Sequence, residues 1–352
     1  MKTIKTTLLL LTLAVSMIST SCKKDEDTSP KGAFSNGMFI VNEGTWSGTG
    51  TITYFDSDSN LAKQDIFEMV NGRPLGTIAQ SMAIYKGKGY IILNNSGIVE
   101  VVDIATFKSV ATISNLKNPS QFLIIDDTKA YVSDWVGHVA VVDMITNTVS
   151  KTIPAGTGPD GMVKSGNYVY IANNGGFGID STITVVDFTT DKVVKTIKVG
   201  EAPGGIVADG DGRIWVLCKG NGFAGWPMAG DTPGRLIRIN PATLTVDFTY
   251  KFSSTSDHPE KLVINKQKSM LYFLHNNGIY KYDITLNNSV PEKLVSRYFY
   301  SLGYENNTGY LYASVLKNKG SEGIVLRFRA IDGVVVDSIV AGVFPRGFTF
   351  PE

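Results

Sequence analysis

The feature that most constrains this chain is a sequence pattern that recurs seven times between residues 38 and 350. Each copy begins with an aromatic-rich apolar segment, such as YVYIANN (168–174), and continues through a polar loop to an alternating segment that usually ends in Asp or Asn, such as ITVVD (183–187). A third short segment ends in a Gly/Pro turn, and the copies follow one another about every 45 residues. This period, with several short strands in each unit, is typical of a β-propeller, whose preferred binding place is the mouth of its central channel.

The way the repeats end predicts how the ring closes. Seven segments match the second strand of a blade, whereas six segments precede them as inner strands, among them 81–87 and 301–307. The C-terminal segment RGFTF (346–350) therefore supplies the missing inner strand of the first blade, which removes the exposed edges of an open array. The predicted fold is all-β: a seven-bladed propeller of four-stranded antiparallel blades over residues 37–352, closed by the C-terminal strand.

The residues before the propeller have a different character. Residues 1–21 contain two lysines, an apolar run too short to span a membrane and then small residues, which predicts a cleaved signal peptide. Cys22 follows those small residues as in a bacterial lipobox, so we expect it to be lipidated; an ordinary signal peptide with an incidental cysteine is the alternative. Residues 22–36 are charged, with a short acidic run, and contain Gly and Pro, which predicts a flexible tether. The acidic run resembles a surface-export signal, and a linker on a periplasm-facing lipoprotein is the alternative.

Charge and cysteine content exclude several classes of function. The net charge is +1 and no long basic tract exists, so the sequence does not favour a nucleic-acid partner. With Cys22 assigned to lipid, Cys218 stands alone in an alternating strand and is expected to be a small buried hydrophobe. The Asp residues that close the second alternating strands, such as Asp143 and Asp187, recur in most blades. We therefore expect them to cap turns rather than to bind metal or transfer protons.

Two sets of loops share one face of a propeller, and large aromatic and amide side chains concentrate in them. Exposed loop aromatics cost stability, so their concentration predicts a ligand surface, while Asn and Arg can bind amides, carboxylates or phosphate. Aromatics that close the channel or pack loop against loop, with Asn-Gly pairs acting only as turn formers, are the alternative. The candidate ligand-binding residues at the mouth are Trp46, Arg73, Asn94, Trp135, Asn173, Phe177, Phe223, Trp226, His275, Tyr298, Tyr300 and Arg346.

Catalysis has weaker support in the sequence. The three histidines, His138, His258 and His275, lie in different blades without paired spacing, and a metal site needs clustered ligands. No Gly-rich phosphate loop follows a strand and opens a helix, so nucleotide binding has no motif either. We therefore expect no catalytic residue, no metal and no cofactor. Metal-dependent propeller lactonases and streptogramin lyases are the enzymes with which the chain is best compared.

Taken together, the VVD strands and the xYVxNN strands resemble the YVTN/YncE-like propeller superfamily over essentially the whole chain after the signal peptide. Within it, the lipobox, the acidic tether and the seven-bladed ring resemble the BtuG-type (DUF5074-like) surface lipoproteins of gut bacteria. That resemblance implies capture of cobalamin or a related corrinoid at the cell surface and a TonB-dependent outer-membrane transporter as partner. It also implies a lipid-anchored outer-membrane protein that faces the cell exterior, binds no nucleic acid and is monomeric apart from the transporter.

Two other functions remain open from the sequence. The first is a scaffold or adhesion lipoprotein whose mouth binds a protein or a polysaccharide. The second is a metal-dependent lactonase or lyase, which a divalent ion in the channel would favour.

Overall fold

The repeats form seven four-stranded antiparallel sheets, as the sequence predicts. The computed structural model describes residues 32–34, 37–222, 228–317 and 320–351. In six blades the four strands follow one another along the chain, and the first blade combines three N-terminal strands with the last strand. The predicted signal peptide, Cys22 and most of the tether lie outside the described residues.

The first fifteen strands form three strands of blade 1 and all of blades 2 to 4. These strands are β1 (Gly37–Asn42), β2 (Thr51–Asp56), β3 (Leu61–Lys63), β4 (Ala79–Tyr85), β5 (Lys88–Leu93), β6 (Ile98–Asp103), β7 (Ser109–Ile113), β8 (Pro119–Ile124), β9 (Lys129–Asp134), β10 (His138–Asp143), β11 (Thr148–Pro154), β12 (Pro159–Ser165), β13 (Tyr168–Asn173), β14 (Thr182–Asp187) and β15 (Lys192–Lys198).

The remaining strands build three more blades and close the ring. They are β16 (Pro203–Ala208), β17 (Ile214–Cys218), β18 (Arg235–Asn240), β19 (Thr245–Lys251), β20 (Glu260–Ile264), β21 (Met270–His275), β22 (Gly278–Asp283), β23 (Glu292–Ser296), β24 (Ser301–Tyr304), β25 (Tyr310–Leu316), β26 (Glu322–Arg329), β27 (Val335–Val343) and β28 (Pro345–Thr349).

Ring closure is confirmed by the pairing of β28 with β1. Phe39 lies opposite Thr349 and Ile40 opposite Phe348, so the C-terminal strand becomes the inner strand of blade 1. The hydroxyl of Ser314 donates to the Pro345 carbonyl at 2.7 Å and ties this strand to blade 7. The inner edge of β1 is therefore paired and presents no free backbone groups.

Apolar side chains fill the spaces between neighbouring blades. The ring of Tyr90 in blade 2 stacks on Phe122 of blade 3 with 4.4 Å between centroids, and Trp215 of blade 5 packs on Tyr282 of blade 6. Both faces of each blade are therefore buried, which explains why the second strands are apolar throughout rather than alternating. The anchors of these strands are all buried: Phe39, Ile91, Tyr131, Tyr170, Trp215, Tyr272 and Tyr312.

The repeated Asp residues cap turns, as expected from the sequence. The Asp143 carboxylate accepts the amide protons of Ile145 and Thr146 at 2.8 and 3.0 Å, and Asp187 makes the same turn in the next blade. These Asx-type bonds stabilise the turn between the third and fourth strands and lower the pKa of both carboxyl groups.

The first repeat also contains a short helix that the strand pattern does not predict. This helix, α1 (Ile66–Asn71), lies between β3 and β4 and accounts for the extra length of the first unit. Its first amides are capped by the side chain of Asp65, Gly72 ends it in a left-handed conformation, and Ile66 and Phe67 are buried in the core.

Candidate functional site

A cavity of about 1000 Å³ lies on the ring axis, where the seven inner strands begin. All seven inner strands contribute to its wall, together with the loops that follow β9, β13 and β17. Its volume is at the upper end of the range for small-molecule sites, about 300–1000 Å³. The fold therefore forms the channel mouth that the repeats predict, with room for a large ligand.

The inner strands arrange the cavity wall in levels. Most of them begin with a β-bulge, so one or two residues per strand are displaced from regular pairing. The first level, here called the mouth, contains Gln80, Asp160, Gly204, Glu260, Lys261, Tyr300 and Arg346, with Ser120 and Glu43 bonded to them. The deeper level, here called the floor, is apolar in every blade, and its members in the cavity wall are Met82, Met162, Ile206, Leu262, Leu302 and Phe348.

One group of charges at the mouth is held by Glu43. The Tyr300 hydroxyl donates to its carboxylate, and Arg346 Nη1 lies 3.3 Å from the same oxygen. Burial raises the pKa of the Tyr300 hydroxyl, so the phenol keeps its proton and remains a donor. This arrangement fixes both cavity-lining side chains between the first and last blades.

A second group of charges lies on blade 6. Glu260 pairs with Lys219 at 2.8 Å. Burial opposes ionisation of Glu260, but Lys219, Lys261 and Arg346 together hold its pKa below the usual range. Lys261 itself is desolvated and lies near Arg346, and these two causes lower its pKa to about 8. Its ammonium lies 6.0 Å from the Tyr300 ring centroid.

Polar groups on the other side of the cavity are amides and one carboxylate. Asp160 accepts hydrogen bonds from the Ser120 hydroxyl and from the Asn174 amide, the latter at 2.7 Å. The side-chain amides of Gln80 and Gln121 line the cavity, and neither makes a hydrogen bond within the described ranges. A ligand that brings its own amides, hydroxyls or carbonyls would supply the missing partners.

An aromatic pair, Trp135 and Phe177, borders the cavity above blades 3 and 4. The two rings meet edge to face, with centroids 5.5 Å apart and planes at 87°. Phe177 is 78% exposed although it is large and apolar, and Ile179 beside it is 52% exposed. The Phe177 ring, supported edge to face by Trp135, therefore offers an exposed apolar surface at the entrance, of the kind that ligand-binding aromatics provide.

Four of the sequence-predicted site residues line this cavity: Trp135, Phe177, Tyr300 and Arg346. The other described candidates lie elsewhere. Trp46 and Tyr298 are 69% and 60% exposed outside the cavity wall. Phe223 and Trp226 lie outside the described residues.

Four polar residues predicted as site residues bond to or pack against other residues of the protein and do not line the cavity. Asn94 donates to the Pro119 carbonyl at 2.9 Å, and Asn173 donates to Thr182 and Thr184 at 2.9 and 3.0 Å; both asparagines are buried. Arg73 pairs at 2.8 Å with Glu100, a buried carboxylate of β6. His275 packs between Phe252 and Tyr280, each with its centroid 4.8 Å away.

Several residues of the cavity wall were not predicted from the sequence, namely Gln80, Gln121, Asp160, Glu260 and Lys261. A repeated proline marks where most of the inner strands enter the mouth. Pro119, Pro159, Pro203, Pro259 and Pro345 each stand just before the residue that enters the mouth. Aligning the repeats on that proline would have identified the mouth residues.

The structure also places the histidines and the free cysteine that the sequence offers as reactive groups. No group of three or more His, Cys, Asp or Glu side chains there could hold a metal ion. His138 Nε2 lies 3.8 Å from the Asp134 carboxylate, and His275 Nε2 lies 3.8 Å from the Asp257 carboxylate. The two histidines are in different blades. Cys218 is buried in the core, where burial raises the pKa of its thiol to about 12, so it is a poor nucleophile. In the part of the chain that is described, no helix has the length and apolarity to cross a bilayer.

The closed ring and its axial cavity define a seven-bladed β-propeller with a candidate ligand site at the channel mouth. The chain belongs to the family described as "Domain of unknown function (DUF5074)", which matches residues 36–325. No curated protein matches the sequence.

Solved structures share the fold at low sequence identity. A quinonprotein alcohol dehydrogenase-like protein from Bacteroides thetaiotaomicron is 17% identical, with a TM-score of 0.68 over 91% of this chain and 79% of that chain. Hydrazine synthase from Kuenenia stuttgartiensis is 17% identical, with a TM-score of 0.65 over 78% and 90% of the two chains. A candidate 6-phosphogluconolactonase from Bacteroides fragilis is 10% identical, with a TM-score of 0.63 over 90% and 98%. At these identities the likeness concerns the fold alone.

Proposed function

We propose that this protein is a non-enzymatic capture protein that binds cobalamin or a related corrinoid in the axial cavity. The observation that carries the proposal is a cavity of about 1000 Å³ whose polar wall includes side-chain amides without protein partners in the described ranges. A corrinoid is a large, flat macrocycle fringed with amide side chains, so it matches both the size and the hydrogen-bonding character of this wall.

The distribution of side chains supports a flat ligand. The exposed Phe177 ring of the aromatic pair can stack on one face of a macrocycle, and the apolar floor can bury part of its edge. Gln80 and Gln121 can each donate to and accept from ligand amides, which orients the ring. The scarcity of clustered acids, histidines and reactive thiols among the described residues is consistent with binding without chemical conversion.

The cellular setting is part of the same proposal. We infer that lipid on Cys22 anchors the protein in the outer membrane, that the propeller faces the exterior and that it passes its ligand to a TonB-dependent transporter. Two acyl chains or more on one cysteine give stable anchoring. Metabolic labelling with a fatty acid tests the anchor, with Cys22→Ala as the unlabelled control, and protease treatment of intact cells tests the orientation.

Isothermal titration of the purified protein with cyanocobalamin tests ligand class. We expect saturable heat with a stoichiometry near one. Absence of heat at micromolar protein contradicts the corrinoid proposal. A positive glycan array in that case would favour the adhesion function, and a divalent ion bound in the channel would favour the lactonase or lyase.

A further inference from the structure

We propose that Lys261 and Arg346 form an oxyanion subsite at the mouth, which binds a phosphate or carboxylate group carried by the ligand. The inference rests on the proposed function in so far as the axial cavity is the ligand site. It adds a requirement that the amide-rich wall does not impose, namely that the ligand carries a negative charge on one side.

The carboxylates at the mouth are all occupied by donors from the protein. Glu260 is paired with Lys219, and Glu43 receives both the Tyr300 hydroxyl and one nitrogen of Arg346. Asp160, the remaining carboxylate of the mouth, lies in blade 4 and accepts from Ser120 and Asn174. None of the three pairs with the Lys261 ammonium, although all of them act on it electrostatically from farther away.

The ammonium of Lys261 makes no ion pair or hydrogen bond with any residue in the described ranges, and it lies over the Tyr300 ring. Arg346 reaches Glu43 through a single nitrogen at 3.3 Å. Two cations thus line one cavity, and the Lys261 ammonium is desolvated with no counter-charge among the described residues in direct contact, which is costly. An oxyanion between them would provide charge-assisted hydrogen bonds to both.

The backbone at Lys261 is also unusual. Its φ is +59°, in the left-handed region that a lysine adopts only at a cost of about 1–2 kcal/mol. The equivalent inner-strand positions in blades 1, 4 and 5 are Gly347, Gly161 and Gly205. A Cβ at Gly161 or Gly205 would lie 2.5 Å from the neighbouring strand, so side chains are excluded there. Blade 6 therefore places a long cation, under backbone strain, where blades 1, 4 and 5 have no side chain. Strain of this kind is common at functional sites.

The subsite lies across the cavity from the aromatic pair. Lys261, Tyr300 and Arg346 belong to blades 6, 7 and 1, whereas the aromatic pair lies above blades 3 and 4. A ligand with a flat apolar part and an anionic group would therefore bind in one orientation, with its charge toward the seam of the ring.

Binding is expected to depend on pH in a defined direction. The groups that act on Lys261 are Glu260 in its own strand, Arg346 in β28, and Asp160 and Glu43 across the mouth. Burial and Arg346 hold the pKa of free Lys261 at about 8, and an anion would favour the protonated form and raise that pKa. The affinity for an anion is therefore highest below about pH 8, where Lys261 is protonated, and falls as the pH rises above that value.

The direct test is the titration of Lys261 in the full-length protein. Reductive methylation with ¹³C-formaldehyde gives each lysine a methyl resonance, and Lys261→Met assigns the one of interest. We expect the Lys261 pKa to rise by about one unit in about 50 mM inorganic phosphate, compared with chloride at equal ionic strength. Exposed Lys198, on outer strand β15, serves as the internal control and should not move. An unchanged Lys261 pKa in both phosphate and acetate overturns the proposal, and the larger of the two shifts identifies the preferred anion.

A comparison of two corrinoids separates this inference from the proposed function. Cyanocobalamin contains a phosphodiester, and dicyanocobinamide has the same macrocycle without it. If the phosphodiester occupies the subsite, Lys261→Met lowers the affinity for cyanocobalamin about tenfold and leaves that for dicyanocobinamide within about twofold, whereas Lys198→Met changes neither. An equal loss for both corrinoids counts against an anion contact. A phosphate-dependent pKa shift without corrinoid binding supports the subsite and refutes the corrinoid.

Discussion

The seam that closes the ring can be tested by adding one methyl group. Gly303, in the inner strand of blade 7, faces Phe348 of the closing strand β28, and a Cβ at residue 303 would lie 2.6 Å from Phe348 Cδ2 and 3.0 Å from its Cβ. Because Phe348 Cβ is fixed to the backbone of a paired strand, rotation of the ring cannot relieve the whole overlap. We expect Gly303→Ala to lower the free energy of unfolding by about 2 kcal/mol, within the 1–3 kcal/mol typical of overpacking. For a domain of this size that corresponds to a fall of about 3 °C in the melting temperature.

A double-mutant cycle assigns the cost to this contact. Phe348→Ala removes the ring that the added methyl group would meet, so Gly303→Ala in that background should cost less than about 1 kcal/mol. Urea unfolding of the four proteins measures the coupling energy. An equal cost of Gly303→Ala in both backgrounds, or no cost in either, would show that residue 303 does not face the Phe348 ring of the closing strand.

Other single substitutions separate ligand-facing residues from structural ones. Lys261→Met should raise the free energy of unfolding at pH 7 by about 1 kcal/mol. The folded state holds the lysine pKa below its unfolded value, so the stability of the wild type increases from pH 8 to 10.5. Calorimetry should therefore show the advantage of the variant shrinking over that range. Phe177→Ala should change stability by less than about 0.5 kcal/mol but weaken cyanocobalamin binding about fivefold in calorimetric titration, since the ring is exposed at the entrance. Asn173→Ala should cost about 2 kcal/mol in urea unfolding, through its bonds to Thr182 and Thr184, with affinity unchanged; a large loss of affinity with little loss of stability would reverse that assignment.

The architecture was predictable because a propeller is assembled from local pieces. Strands next to each other in the chain pair within each blade, so the repeat period and the alternation define the sheets without any long-range information. The one long-range pairing, β28 with β1, followed from the shortage of one inner strand. By contrast, α1 is a single short turn of helix with no extended periodicity, and nothing in the strand pattern indicates it.

The site was predictable only in part, because it depends on which way single residues face. Asn173 and Asn174 are adjacent, yet the first turns inward to Thr182 and Thr184 while the second reaches Asp160 and the cavity. Bulges at the start of the inner strands shift the register by one or two residues, so alternation does not reveal that Lys261 enters the channel. These placements arise from packing between blades, which a linear pattern does not contain.

The most direct test of the binding site fills the cavity without disturbing the fold. Gly204 lines the cavity, and a Cβ added there would have no heavy atom within 4 Å. Gly210, in the turn after β16, is a matched control, because its nearest neighbour would be the Lys268 Cβ at 4.0 Å and it does not line the cavity. We predict that Gly204→Phe keeps the wild-type melting temperature and lowers the affinity for cyanocobalamin at least about tenfold, whereas Gly210→Phe binds as the wild type. Equal binding by both variants, or no binding by the wild type, would contradict the claim that the axial cavity is the ligand site.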